Sequence, residues 1–144
     1  MRALIAYLTY SGNTKEVAER IASGIEQHGM DVDMYQIGRG RHVDVSLYDY
    51  IFIGTFTWDY GCTPDEVKDF ILDIGYKPNH VAVFGTGDTQ FGGEEQFCQA
   101  VDKLTTFYES KWAGLKIEQS PRGSQEKKID YWLEGVLEYV ESYA

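Results

Sequence analysis

The residues best equipped for chemistry sit in three short stretches: Thr9-Tyr10-Ser11-Gly12-Asn13-Thr14, Thr55-Phe56-Thr57-Trp58-Asp59-Tyr60-Gly61, and Thr86-Gly87-Asp88-Thr89-Gln90-Phe91-Gly92-Gly93. The first holds hydroxyls, one amide and one glycine, and neither Lys nor Arg. It runs straight into a segment of helical periodicity. Backbone N–H groups and the positive end of that helix would converge there, with Thr9, Ser11, Asn13 and Thr14 adding short donors. Such a nest suits a phosphate; the same composition also suits a plain strand-to-helix turn capped by Thr14. A triphosphate would require the Lys of a Walker loop and a dinucleotide a three-glycine turn, and neither is present. A monophosphate needs only the donors in place.

The second and third stretches each carry an aromatic residue, Trp58 and Phe91, which could sandwich a flat ring. Asp88 follows Gly87, and glycines at 85 and 87 allow backbone to approach a ring edge. Taken singly, either aromatic reads equally as a surface anchor or as part of the core. Cys62 and Cys98 are far apart and have no clustered thiol or His nearby, which argues against a CxxC redox pair and a zinc site. No metal ligand set stands out, and no catalytic acid, base or nucleophile is assigned.

These stretches need a scaffold, and the chain supplies one by alternation. Arg2 to Leu8, Tyr50 to Gly54 and Val81 to Gly85 are near-continuous apolar runs, as expected of strands buried on both faces. Asp31 to Ile37 sets Val32 and Met34 between acids and suits an edge strand; Leu115 to Glu118 is a fifth, shorter candidate. Between them, Val17, Ala18, Ile21, Ala22 and Ile25 form a helical face with Gly29 as its stop. Thr63 as capping hydroxyl and Pro64 as first-turn proline open a second helix with Val67, Phe70, Ile71 and Ile74 inward. Phe97, Val101, Leu104 and Tyr108 mark another, and Ile129, Trp132, Leu133, Val136, Leu137 and Val140 the last. Gly38 to Leu47 leaves room for a turn or two of helix. A doubly wound α/β sheet is expected, with its ligand beyond the carboxyl ends of the strands, where all three stretches lie.

The 144 residues, 43% of them hydrophobic, suit one domain spanning 1–144. With 13 Lys and Arg against 23 Asp and Glu, the net charge of −10 disfavours nucleic acid and anionic membranes and favours basic protein partners. No apolar run approaches the length of a membrane helix, and a cytoplasmic monomer is expected. Arg39, Gly40, Arg41 and His42 form a local basic cluster, read as a solvated loop.

Together the three stretches resemble the flavodoxin family in its short-chain form, from Arg2 to about Tyr143. "TYSGNT" is similar to the family's phosphate loop, "GTFTWDYG" to the loop on one face of the isoalloxazine, and "GTGDTQFGGEEQFC" to the loop on the other. The resemblance implies a three-layer sandwich, a five-stranded parallel sheet of order 2-1-3-4-5 with helices on both faces, and noncovalent FMN. It assigns Thr9, Ser11, Gly12, Asn13 and Thr14 to the phosphate, and Trp58 and Phe91 to the ring faces. Thr86, Gly87, Asp88 and Cys98 fall at the pyrimidine edge through backbone atoms. Tyr10, Thr55, Phe56, Thr57, Asp59, Tyr60 and Gly61 complete the walls. Phe91 stands where the family usually has tyrosine. Asp59 stands where many relatives have glycine at a peptide that flips on reduction, so Asp59→Gly should raise the first-electron potential by about 40 mV.

The implied function is low-potential one-electron transport between a basic-surfaced NAD(P)H-dependent reductase and acceptor enzymes, with no catalysis by the protein itself. Asp59, Asp65, Glu66, Asp88, Glu94 and Glu95 would form the acidic docking surface. Two other readings stay open: a dedicated flavoprotein partner such as a ribonucleotide reductase activator, and an NAD(P)H-dependent flavin or quinone reductase on the same fold. A phosphorylated receiver is disfavoured, since "YLTYSG" lacks the acidic pair that magnesium requires.

Overall fold

Buried, alternately facing side chains place β1 (Arg2–Tyr7), β3 (Tyr50–Phe56) and β4 (Val81–Gly87) in the middle of a parallel sheet, flanked by β2 (Asp31–Gln36) and β5 (Leu115–Glu118). The computed structural model describes residues 2–10, 12–38, 43–56, 63–78, 80–87, 98–118 and 123–143. Strand order is β2-β1-β3-β4-β5, as expected. The register sets Ala6 opposite both Tyr35 and Ile53, Ile53 opposite Val83, and Phe84 opposite Leu115. The described helices are α1 (Asn13–Gln27), α2 (Asp65–Ile74), α3 (Gln99–Phe107) and α4 (Ser124–Tyr143), and a single 3-10 turn, Val45–Leu47, lies between β2 and β3.

The period of two along the strands divides the core in two. Ala3, Ile5, Tyr7, Phe52, Ala82, Phe84, Leu115 and Ile117 face one way and pack on α1 and α4 through Val17, Ile21, Ile25, Ile129, Leu133 and Val136. Leu4, Ala6, Leu8, Ile51, Ile53, Val81 and Val83 face the other way, onto Val67 and Phe70 of α2 and Val101 and Leu104 of α3. Three layers result, and strands buried on both faces explain why their sequences read as unbroken apolar runs. Ile71 and Ile74 are only half-buried against the second cluster, while Phe97 and the side chain of Val140 lie outside the described residues.

The edge strand differs. Val32 packs on the first cluster and Tyr35 on the second, whereas Asp31, Asp33 and Met34 are exposed. Asp33 accepts from Arg2 Nη2 at 2.9 Å and from the Tyr48 hydroxyl at 2.8 Å.

The start of α2 departs from expectation. Its N-cap is Pro64, without a side-chain cap, and the Pro64 carbonyl accepts from the Val67 and Lys68 amides. Thr63, expected to cap, is instead buried. Proline needs no capping donor of its own, and its fixed φ of −56° positions the carbonyl that opens the helix. Strands β3 and β4 also run past Gly54 and Gly85, where the apolar runs stop, because Thr55, Phe56, Thr86 and Gly87 continue the same ladder.

Candidate cofactor site

The carboxyl ends of β1, β3 and β4 lie side by side, which brings Thr9, Tyr10, Thr55, Phe56, Thr86 and Gly87 to one edge of the sheet. Beyond β1 the ladder continues for one residue, Leu8 N–H donating to the Gly54 carbonyl at 3.0 Å. The chain then turns. Gly12 takes φ 96°, a left-handed conformation that costs an L side chain about 1 kcal/mol or more, and serves as the N-cap of α1. Its N–H donates to Thr9 Oγ1 at 2.9 Å, closing the turn.

Gly12 has no side chain to cover the helix end, and a Cβ added there would meet nothing within 4 Å. The first intrahelical bond runs from Glu16 N–H to the Gly12 carbonyl, so the preceding amides of the turn point out of the helix end. The first-turn amides of a 15-residue helix, with the positive end of its dipole, therefore face the edge where the strands end. A phosphate fits that donor set.

Three further contacts stiffen the surroundings. Thr14 Oγ1 and Thr86 Oγ1 are 2.9 Å apart and buried, tying the first turn of α1 to the end of β4. The Tyr10 ring lies 4.7 Å from that of Phe56, and the Tyr10 hydroxyl donates to Glu66 of α2. That bond, with the nearby charges of Glu66 and Asp65, pushes the Tyr10 phenol above its ordinary range. The sequence marks Glu66 only as a docking acid; its contact with Tyr10 spans 56 residues and has no local signal.

Thr55 is fully buried, and its hydroxyl donates to the Phe56 carbonyl at 3.0 Å, so its side chain supports the wall from behind. Gly85 is required by packing: a Cβ there would come within 2.7 Å of the Thr55 carbonyl and overlap Val101. Cys98, at φ 51°, is the N-cap of α3 and fully buried, its Sγ 3.9 Å from the carbonyls of Gly85 and Ile117. Burial pushes its thiol up to about 12. Ser11, Thr57, Trp58, Asp59, Tyr60, Gly61, Cys62, Asp88, Phe91, Glu94 and Glu95 lie outside the described residues, as do Arg39, Gly40, Arg41 and His42.

The Flavodoxin family model matches residues 5–129. The chain belongs to the flavodoxin family. It is 33% identical over 140 residues to "Probable flavodoxin 2" of Bacillus subtilis, the match covering 89% of each chain. Oxidised Flavodoxin 2 of Bacillus cereus superposes with a TM-score of 0.83 at 30% identity, over 96% of this chain and 99% of that one. A Fusobacterium nucleatum flavodoxin with flavin mononucleotide bound shares the fold at a TM-score of 0.71 and 15% identity, over 96% of this chain and 98% of that one. Flavodoxins are electron carriers rather than enzymes, and the sequence expectation of a carrier agrees with the family. Among the described residues no group of three or more His, Cys, Asp or Glu could hold a metal, and no helix is long and apolar enough to cross a membrane.

Proposed function

We propose that this flavodoxin carries single electrons at low potential on noncovalently bound FMN, as a cytoplasmic monomer. Its donor is a basic-surfaced NAD(P)H-dependent reductase and its acceptors are redox enzymes, with ribonucleotide reductase a candidate to test by pull-down. The observation that carries the reading is the Gly12-led end of α1, open to a phosphate and set beside the ends of β3 and β4. A Fusobacterium relative of the same fold holds FMN.

Thr9, Ser11, Gly12, Asn13 and Thr14 surround the phosphate in this reading. Trp58 and Phe91 flank the ring, and Thr86, Gly87, Asp88 and the Cys98 backbone follow its pyrimidine edge. Tyr10, Thr55, Phe56, Thr57, Asp59, Tyr60 and Gly61 form the remaining walls. FMN supplies the reversible one-electron chemistry, so the protein's contribution is binding, orientation and electrostatics. The chain's −10 charge, with no Lys or Arg in the phosphate loop, opposes further negative charge at the site and lowers the potential.

Titration of flavin-free protein with FMN and with riboflavin tests the phosphate assignment. FMN should bind at least about 100-fold more tightly, since riboflavin leaves the helix-end donors unused. Equal affinities would overturn it. Adding NADPH alone to the FMN-loaded protein should leave the yellow colour in place; rapid bleaching would favour a reductase.

A further inference from the structure

A second concavity lies away from the strand ends described above. It has a volume of about 480 Å³ and runs between α4 and the turn that leads into β5, lined chiefly by Lys111, Trp112, Lys128, Tyr131, Trp132 and Gly135. That volume falls in the usual range of small-molecule sites. Because it sits beside the start of β5, it does not overlap the phosphate end of the cofactor site, which lies past the ends of β1, β3 and β4.

Three independent features of this cleft point to one ligand chemistry. Its walls are aromatic and held in place: Trp132 Nε1–H donates to the Ala113 carbonyl at 2.7 Å, and the Trp132 ring packs edge-on to Phe52 at 6.0 Å. A fixed indole offers a flat face without an ordering cost on binding. Its charge is inverted relative to the chain. Among the described residues the charged groups lining it are Lys111 and Lys128, with no carboxylate, in a protein of net charge −10. Lys128 uses one donor on the Lys116 carbonyl at 2.8 Å, and an ammonium carries three.

The third feature is Gly135. Glycine inside a helix costs stability relative to alanine and is ordinarily explained by a neighbour that a Cβ would strike. Gly24, inside α1, has such a neighbour in Leu133. Gly135 has none within 4 Å among the described residues, so their packing does not require it. It leaves bare backbone exposed on the wall of the cleft, where a planar group can lie close.

We propose that this cleft binds a planar aryl carboxylate, its ring between Trp132 and the bare backbone at Gly135 and its carboxylate toward Lys111 and Lys128. The alternative is an incidental surface depression with no ligand preference.

The test uses FMN-loaded protein with 2-naphthoate as probe and 2-naphthamide as its neutral counterpart, followed through the indole N–H signals of Trp112 and Trp132. Naphthoate should saturate with a Kd on the order of 0.1–1 mM, as suits a ligand of its size. The amide should bind about tenfold more weakly. Lys128→Gln should weaken naphthoate about fivefold and narrow the gap to the amide. Gly135→Leu, which fills the cleft while favouring helix, should abolish binding with the flavin spectrum unchanged. Equal affinity for acid and amide, indole signals that do not move, or binding unaltered in both variants would each overturn the proposal.

Discussion

Thr14 Oγ1 and Thr86 Oγ1 form a hydroxyl pair 2.9 Å long, 72 residues apart in sequence and buried on both sides. Both residues are almost wholly shielded from solvent. Replacing one partner by valine leaves the other in an apolar setting, and each single variant should lose about 1–3 kcal/mol of stability. The double Thr14→Val/Thr86→Val variant should lose less than the sum of the two, since it leaves no orphaned hydroxyl. Urea denaturation of the four proteins in the cycle measures the coupling, and strict additivity would contradict it.

Two helix-interior glycines should respond to alanine with opposite signs. A Cβ at Gly24 of α1 would overlap Leu133 Cδ2 of α4, a side chain in the core cluster that joins these helices to the sheet. The forced shift should outweigh the gain in helix propensity, and Gly24→Ala should cost about 1 kcal/mol. Gly135→Ala meets open space and should stabilise by about 0.5–1 kcal/mol. Thermal melting of both variants decides it.

Burial lifts the Cys98 thiol at the start of α3 from about 9 to about 12, and the Tyr108 phenol at its other end from 10.0 to about 12. Below the unfolded values both groups are neutral folded or unfolded. Between those values and about 12 only the unfolded chain ionises, so stability falls as pH rises through this window. Cys98→Ser should flatten part of that alkaline slope. In native protein near pH 8, Cys98 should also resist thiol reagents until the chain unfolds, because access and thiolate are both lacking.

Electron exchange with a basic reductase should slow as salt rises. Asp65 is exposed and Glu66 is half-buried where α2 meets the phosphate turn, so partner approach at this edge encounters a negative field. Raising ionic strength from about 0.01 to 0.1 M shortens the screening length from about 30 to 10 Å. A rate that stays flat over that range would remove electrostatic docking.

Periodicity made most of the scaffold legible. Val17, Ala18, Ile21, Ala22 and Ile25 are all buried, as their spacing predicts, and the unbroken run of β1 reflects a strand with helices on both sides. Strand ends were harder to read, since Thr55 and Thr86 are polar in type yet belong to buried ladder positions. Thr63 misled because its type suits a cap, while the structure turns it inward and leaves the opening carbonyl to Pro64. At the site, the turn at Gly12 that opens α1 was visible from composition and the following helix. The Thr14–Thr86 and Tyr10–Glu66 contacts were not, because each joins segments brought together only by strand order.

The charged rim of β2 bears on how the molecule lives in a crowd. An uncovered strand invites a second copy to zip onto it, and a carrier trapped in such a pair would lose the freedom to tumble between donor and acceptor. Asp31 and Asp33 sit on that rim, and two such strands brought together would crowd carboxylate against carboxylate. The same acids that weaken β2 as a strand would therefore work against a second copy pairing along that edge.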